Sequence, residues 1–192
     1  TAHFGKYLND YMREDGVPPG WHRWFGMAEP AARYFKATFV DDGEIVRTGT
    51  DPAEYSTDLM TDKAVEFIKS DEAASAPFYL SLGYVAPHVG KSFRTTDHCT
   101  DKGPEPAPRH LVRFLGRQIP RWPSFNEDDV SDKPTFIRET PKVLGETLRE
   151  KTDKYQCRLE TLLAVDESVA RIVRALREAG ELDNTYIFFI SD

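Results

Sequence analysis

Three polar side chains occupy positions from which they could bind an anion and its counter-ion. Lys6 stands beside a glycine, His88 comes shortly after the apolar run 78–85, and Asp192 closes the chain after the apolar run 185–190. Lysine and histidine side chains can donate hydrogen bonds to an oxyanion, and histidine can also assist proton transfer. Carboxylates are common ligands of hard divalent cations. His88 and Asp192 could therefore share a crevice that binds an anion and a divalent cation, and Lys6 is a third candidate whose role depends on what the three segments mean together.

Each of these residues also has a purely structural interpretation. A histidine after a strand is often a loop residue with a local hydrogen bond, and most lysines are simply solvated on the surface. A terminal aspartate is often a turn former. The functional interpretation therefore depends on whether the fold brings the three segments together.

The hydrophobic pattern predicts the elements that would position them. A helix is expected from Ser56 to about Ser70, and a second helix follows a stripe of eight apolar residues from Leu159 to Leu176, closed by Gly180. The runs 78–85 and 185–190 are predicted to be buried strands. Alternation of helices and strands indicates an α/β fold, a layered and mostly parallel sheet with flanking helices, whose ligands gather at the carboxyl ends of the strands. His88 and Asp192 both occupy that position.

Other segments predict the surroundings of this sheet. Residues 34–48 place an Asp-Asp-Gly turn between two strand-prone runs, as in a hairpin. The tryptophans Trp21 and Trp24 are expected to pack rather than to bind ligand. Seven of the chain's 13 prolines lie in residues 87–134, which predicts a mostly irregular segment.

Composition narrows the possible functions. A chain of 192 residues with 40% hydrophobic content can bury a core as one domain. Its formal charge of −7 argues against a general nucleic-acid binder, although an anionic small substrate remains possible. No run approaches the ~18 apolar residues of a membrane span. Cys99 and Cys157 could form a disulfide or remain two free thiols.

Several short motifs occur in the order found in one enzyme family. They are Gly5-Lys6-Tyr7-Leu8-Asn9, Pro18-Pro19-Gly20-Trp21, Ala86-Pro87-His88, Pro106-Ala107-Pro108-Arg109, the segments 121–127 and 163–167, and Asp183-Asn184-Thr185 leading into Ser191-Asp192. In this ordered set the chain resembles the sulfatase family of the alkaline phosphatase superfamily. It looks most similar to the branch that contains N-acetylglucosamine-6-sulfatases and arylsulfatase-like enzymes. The resemblance covers essentially the whole chain.

The resemblance implies an alkaline-phosphatase-like fold that hydrolyses sulfate esters with a formylglycine nucleophile beside a bound calcium ion. Carried over by position, Lys6 and His88 are the catalytic and sulfate-contacting residues, and Asp192 is a metal ligand. The implied partner is a sulfated small molecule or a sulfated glycan. Family members are typically exported or lysosomal, so the expected location is extracellular, periplasmic or lysosomal.

The chain also departs from the family pattern. Leu8 stands where many arylsulfatases have a histidine, and neither Cys99 nor Cys157 fits the C-x-P-x-R motif that yields formylglycine. The paired aspartates that help to hold calcium have no counterpart. We therefore expect residues 1–192 to be a central fragment of a sulfatase catalytic domain, incomplete in its fold and calcium site, with the nucleophile in an earlier segment. Alone, it is expected to show no sulfatase activity and little calcium affinity.

Two further interpretations stay open. Arg109, Arg113, Arg117 and Arg121 recur every four residues, and on a helix they would form a basic stripe able to contact a sulfated polymer; a solvated or internally paired charged face is the alternative. Within this group Arg109 is our candidate for substrate binding. For the protein as a whole, the alternatives are a phosphodiesterase or phosphonate hydrolase of the same superfamily, or a non-catalytic carbohydrate-binding remnant.

Overall fold

A five-stranded sheet organises the part of the chain that the structure describes. The computed structural model describes residues 1–29, 33–90, 99 and 103–191. The strands are β1 (Ala2–Gly5), β2 (Arg23–Met27), β3 (Thr38–Asp41), β4 (Glu44–Arg47) and β5 (Leu80–Gly83), in the spatial order β4-β3-β2-β1-β5. Strand β1 pairs in parallel with β2 and β5, whereas β2–β3 and β3–β4 are antiparallel. The α/β class is confirmed, and the sheet is mixed rather than mostly parallel.

The antiparallel pair β3–β4 is the predicted hairpin. Asp42 and Gly43 connect β3 to β4 with φ angles of 47° and 102°. Positive φ at both central residues is the geometry of the tight turn that matches strand twist, and an Asp-Gly pair adopts it readily.

Four α-helices accompany the sheet in the described residues: α1 (Ser56–Ile68), α2 (Asp71–Ser75), α3 (Thr135–Arg138) and α4 (Gly145–Glu178). Helix α1 matches its prediction. Ser56 and Thr57 are residue types that could have capped it, but they lie inside the helix and its N-cap is Tyr55. Helix α4 begins earlier than predicted. The prediction missed its first turns because they are polar and carry no apolar stripe. It ends as predicted, with Gly180 at φ 76° just beyond it.

The two faces of the sheet are covered differently. Helices α1 and α4 pack against each other, and α1 also contacts β1 and β5, so that Phe4, Phe25 and Phe67 lie in one buried core. On the opposite face, Trp24 and Tyr11 are buried, with Trp21 packed against them. This confirms the packing role expected for both tryptophans.

The core-facing side of α4 differs from the predicted apolar stripe. Its buried residues include Cys157, Glu160, Thr161, Ala164 and Ser168, whereas Val169 is exposed. Small and polar side chains let α4 approach α1 closely; Thr61 donates a 2.7 Å hydrogen bond to Ser168 across this contact. The stripe prediction was wrong in part because it counted only large apolar residues as buried.

Two predicted strands also differ from expectation. Residues 78–85 contribute β5, but it lies at the edge of the sheet and its side chains are half-buried instead of buried on both faces. Residues 185–190 form no strand in the structure. Their backbone has no neighbour in the sheet, and their large side chains, from Tyr186 to Ile190, are 53–91% exposed. A strand-prone sequence forms a strand only where a partner can satisfy its backbone.

The irregular middle of the chain is tied to α4. Cys99 and Cys157 form a disulfide, which resolves the alternative left open by the sequence. In residues 103–134, Pro108–His110 forms a short 3-10 helix and the rest consists of turns and irregular backbone, as the prolines predicted. No helix in the described ranges has both the length and the apolarity needed to cross a membrane.

Candidate active site

The carboxyl ends of β1 and β5 meet at one edge of the sheet. Gly5 of β1 is in register with Gly83 of β5, and the Lys6 amide donates a 2.8 Å hydrogen bond to the Gly83 carbonyl. Lys6 and the segment that leads to His88 therefore leave the sheet side by side. The structure thus brings two of the three segments to the same end of the sheet, and the roles of Lys6 and His88 stay predictions.

Two glycines make this close approach possible. A Cβ atom on Gly5, whose φ is 116°, would lie 2.1 Å from the Gly83 carbonyl oxygen. A Cβ on Gly83 would lie 2.3 Å from the carbonyl oxygen of Lys6. Both distances are shorter than any van der Waals contact, so only glycine allows the two backbones to meet here.

The loop after β1 holds the Lys6 ammonium group. Lys6 is half-buried, and its Nζ donates a 2.7 Å hydrogen bond to Oδ1 of Asn9. An ammonium has three donors, and Asn9 is the acceptor for one of them in the part of the chain that the structure describes, which leaves two for a ligand. Asn9 was quoted in the sequence motif but not singled out; its spacing of three residues from Lys6, across a tight loop, was the available signal.

The backbone around His88 is fixed by contacts from two directions. After a cis peptide bond between Ala86 and Pro87, the His88 amide donates a 2.8 Å hydrogen bond to the Val85 carbonyl. The buried Tyr34 hydroxyl donates a 2.7 Å hydrogen bond to the His88 carbonyl, and burial raises the pKa of Tyr34, which keeps this donor protonated. Tyr34 is a supporting residue that sequence reasoning missed.

The imidazole ring itself is exposed. Its Nδ1 lies within hydrogen-bonding distance of the Val89 carbonyl oxygen, an acceptor that requires Nδ1 to carry the proton. In that tautomer Nε2 is the ring nitrogen that can interact with a ligand. It accepts a hydrogen bond when the ring is neutral and donates one when the ring is protonated.

Arg109 occupies a different kind of environment. Its guanidinium makes a bidentate contact with Asp58 of α1 at 2.7 and 2.8 Å, and it also donates to Glu167 of α4 at 2.7 and 2.9 Å. All three of its nitrogens are engaged, and the hydrogen bonds with Asp58, followed by those with Glu167, raise the pKa of Arg109. His110 Nε2 lies 3.1 Å from the same Glu167 carboxylate. This geometry favours the internally paired alternative, and substrate binding by Arg109 stays a prediction.

The basic stripe proposed from the sequence does not form on a helix. After the 3-10 turn at Pro108–His110, residues 111–116 are turns and residues 117–122 are irregular. Arg113, Arg117 and Arg121 therefore do not share one helical face with Arg109.

Sequence reasoning also missed a buried histidine beside the site. His3 lies in β1, is 3% exposed, and places Nδ1 3.1 Å from the Ser81 hydroxyl of β5. It packs among aromatic rings, including those of Tyr7 and Trp24. Burial lowers the pKa of His3 to about 4, so the ring is neutral near pH 7.

Comparison with known proteins decides the family. The sulfatase family profile matches residues 1–192. An arylsulfatase of Volvox carteri is 36% identical over 203 residues, and the match covers 100% of this chain and 31% of the relative. The N-acetylglucosamine-6-sulfatase of Bos taurus is 30% identical over 200 residues, covering 100% of this chain and 33% of the relative. The chain belongs to the sulfatase family.

A solved structure shows the same fold. BT4656, determined in complex with D-glucosamine-2-N,6-O-disulfate as its substrate, superimposes with a TM-score of 0.64 at 21% sequence identity, covering 96% of this chain and 45% of that one. The alkaline-phosphatase-like sulfatase fold inferred from the sequence is thereby confirmed. The chain spans about a third of the length of the two sulfatases that it matches in sequence.

The calcium and formylglycine implied by the sulfatase family can be tested against these side chains. Across residues 1–29, 33–90, 99 and 103–191, no three or more His, Cys, Asp or Glu side chains are grouped so that they could hold a metal ion. Asp192, the predicted metal ligand, lies outside the described residues. Both cysteines are joined in the disulfide, so neither is a precursor of formylglycine. The described residues thus do not fit either group.

Proposed function

We propose that this chain supplies the sulfate-contacting part of a site that hydrolyses sulfate esters, with Lys6 and His88 as the residues that touch the sulfate group. The observation that carries the proposal is the parallel register of β1 and β5, which brings both segments to one edge. Membership of the sulfatase family supports the reaction class.

Lys6 and His88 have complementary tasks in this proposal. The Lys6 ammonium, oriented by Asn9, binds a sulfate oxygen and stabilises the negative charge that accumulates as the S–O bond breaks. Nε2 of His88 donates a hydrogen bond to a second oxygen when the ring is protonated. Because the described residues do not fit calcium or formylglycine, the chemistry proposed for them is limited to binding and orienting the sulfate group and stabilising its negative charge.

We further propose a sulfated sugar as the substrate, with an aryl sulfate as the second candidate. The relatives named above include both an N-acetylglucosamine-6-sulfatase and an arylsulfatase. The disulfide also supports an exported or lysosomal location, because such bonds persist in oxidising compartments.

One observation favours a second function, the binding of a sulfated carbohydrate without turnover. Both cysteines are in the disulfide, so within this chain no cysteine can serve as nucleophile. The two functions share the sulfate contacts and differ only in the reaction that follows.

The test is binding of glucosamine 6-sulfate, measured by isothermal titration calorimetry. Lys6→Ala and His88→Ala should each raise the Kd roughly tenfold, the effect of removing a hydrogen bond to a charged group. Lys69→Ala is the matched control, because Lys69 is the C-cap of α1, belongs to neither proposed sulfate-contacting segment, and pairs with Glu178 on the surface. Unchanged affinity in both the Lys6 and His88 variants would overturn the proposal.

A further inference from the structure

A basic depression lies along the same edge of the sheet as Lys6. It has a volume of about 360 Å³, and its lining includes four cationic side chains, Arg13, Arg33, Lys36 and Arg47. None of these residues belongs to the motifs by which the chain resembles sulfatases. They come from three separate segments: the loop after β1, the connection into β3, and the end of β4.

Strand register places this depression relative to Lys6. Gly5, the last residue of β1, is opposite Gly26 of β2. Just beyond β2, the Ala28 amide donates a hydrogen bond to the carbonyl of Thr38, the first residue of β3. Thr38 is in turn opposite Arg47, the last residue of β4. The ends that carry Lys6, Ala28, Thr38 and Arg47 therefore form one continuous edge. Arg47 is three strands from Lys6, which is roughly 14 Å at the usual spacing between strands.

The charges in the depression do not cancel. Both carboxylate oxygens of Glu29 have partners within the protein. Oε1 accepts a 2.6 Å hydrogen bond from the Thr38 amide, and Oε2 pairs with Arg33. Glu14 pairs with Arg13 at 2.9 Å on the surface. Four cations and two carboxylates leave a formal charge of +2 in the lining, on a chain whose net charge is −7.

Arg47 is the side chain best placed to meet a ligand. It is exposed at the end of β4, the edge strand of the sheet, on the far side of the depression from β1. Arginine presents a planar fork of donors that matches the oxygens of sulfate and carboxylate groups. An exposed arginine beside a net positive depression attracts anions from solution.

We propose that this depression is a second anion subsite, which binds a sulfate or carboxylate group farther along a sulfated glycan whose target sulfate lies at Lys6. The inference rests on the proposed function and extends it to the substrate class: an extended polyanionic glycan instead of a single sulfated ring. One sugar ring cannot reach across three strands, whereas an oligosaccharide can lie along the edge and contact both ends.

The experiment compares two probes on the same 192-residue chain. Glucosamine 6-sulfate reports on the Lys6 end alone, and a sulfated octasaccharide reports on the whole edge; both Kd values are measured by calorimetry at two salt concentrations. Arg47→Glu should raise the Kd of the octasaccharide roughly three- to tenfold and weaken its dependence on salt, as expected for reversing one exposed charge. It should leave the Kd of glucosamine 6-sulfate unchanged.

Two matched variants define the controls. Arg47→Lys keeps the charge but loses the planar fork of donors, so its octasaccharide Kd should lie between those of the wild type and Arg47→Glu. Arg177→Glu makes the same change in net charge at an exposed residue near the end of α4. The preceding residues Ala175 and Leu176 pack close to Leu80 at the start of β5, so this control lies at the opposite edge of the sheet. It should leave both probes unaffected.

The outcomes separate this inference from the proposed function. If Arg47→Glu leaves octasaccharide binding unchanged, or if Arg177→Glu weakens it equally, the second subsite is refuted even when Lys6→Ala still weakens both probes. If neither Lys6→Ala nor His88→Ala affects the binding of either probe, the proposed function fails, whatever Arg47→Glu does. Loss of octasaccharide binding in Arg47→Glu with unchanged monosaccharide binding supports the subsite.

Discussion

Residues 78–85 and residues 185–190 are two apolar, strand-length runs of similar composition that have different fates in the structure. In the first, Leu80–Gly83 becomes β5, paired along its length with β1, and Phe78 packs edge-on against Phe67 of α1 at 5.6 Å. The second run is exposed, with Phe188 82% and Ile190 86% accessible. The difference shows that a strand-prone run becomes a strand only where a neighbouring strand can pair with its backbone.

The largest test of this comparison is the close contact that pairs β5 with β1. Gly5→Ala would place a methyl group against the Gly83 carbonyl and strain a positive φ, so the free energy of unfolding should fall by roughly 3 to 5 kcal/mol. Urea denaturation measures this loss. Gly43→Ala is the matched control: its φ of 102° is also positive, but a Cβ there meets nothing within 4 Å, so only strain of roughly 1–2 kcal/mol is expected. Equal losses in the two variants would show that the β1–β5 contact is not tight.

The next effect concerns His3, which connects β1 to β5 through Ser81. Its pKa of about 4 in the folded chain lies below the model-compound value of 6.5, so the unfolded chain binds the proton more readily. The stability that this group contributes is fully present above pH 6.5 and is lost as the pH falls towards 4. The free energy of unfolding should therefore fall by about 3 kcal/mol over this interval. Denaturation curves between pH 7 and pH 4 measure it. His3→Gln should be less sensitive to pH over this interval; parallel profiles for the two proteins would contradict the assignment.

A smaller effect is expected where α1 and α4, the helices that cover β5, are tied together by Arg109. Arg109→Met removes the bidentate contact with Asp58 and the bonds to Glu167, and should lower the free energy of unfolding by about 1 kcal/mol, because solvent screens this partly exposed cluster. Glucosamine 6-sulfate should bind the variant as it binds the wild type. A tenfold loss of affinity without loss of stability would instead assign Arg109 to substrate binding.

The smallest effect is expected in the unpaired run. Phe188→Ala should change the free energy of unfolding by less than about 0.5 kcal/mol, since the ring is already exposed. Phe78→Ala in the paired run is the control and should lower it by roughly 2 kcal/mol, because Phe78 packs on the core. If Phe188→Ala were as destabilising as Phe78→Ala, the run 185–190 would have to be packed in solution.

Local patterns predicted much of the fold. The hairpin at Asp42–Gly43, helix α1 and the end of α4 at Gly180 all depend on residues within a few positions of one another, and the structure contains each of them. The start of α4 at Gly145 could not be predicted in this way. Its first turns are polar, and an amphipathic pattern is absent where a helix faces solvent on most sides.

The candidate site was predictable only as a set of segments. Lys6 and His88 could be named because each follows a strand or stands in a recognisable motif, and the spacing of Asn9 from Lys6 was a local signal. Tyr34 acts through a contact between residues 54 positions apart, which no spacing rule predicts. The arginine stripe from Arg109 to Arg121 shows the opposite case, in which a spacing rule suggested a grouping that the structure does not contain. A regular spacing of four residues indicated a helical stripe, but Gly116 and Pro120 interrupt the segment and Asp58 and Glu167 bind the guanidinium.

Residue types and their spacing along the chain were enough to indicate the sulfatase family, the α/β class and the turn and helix signals. The folded chain was needed to show that β1 lies between β2 and β5, that Cys99 pairs with Cys157, and that the edge beside Lys6 continues to Arg47. Strand partners, disulfide partners and ion pairs join residues far apart in the sequence. Their meeting is settled by which surfaces bury the most apolar area together, a property of the whole chain that no local stretch contains.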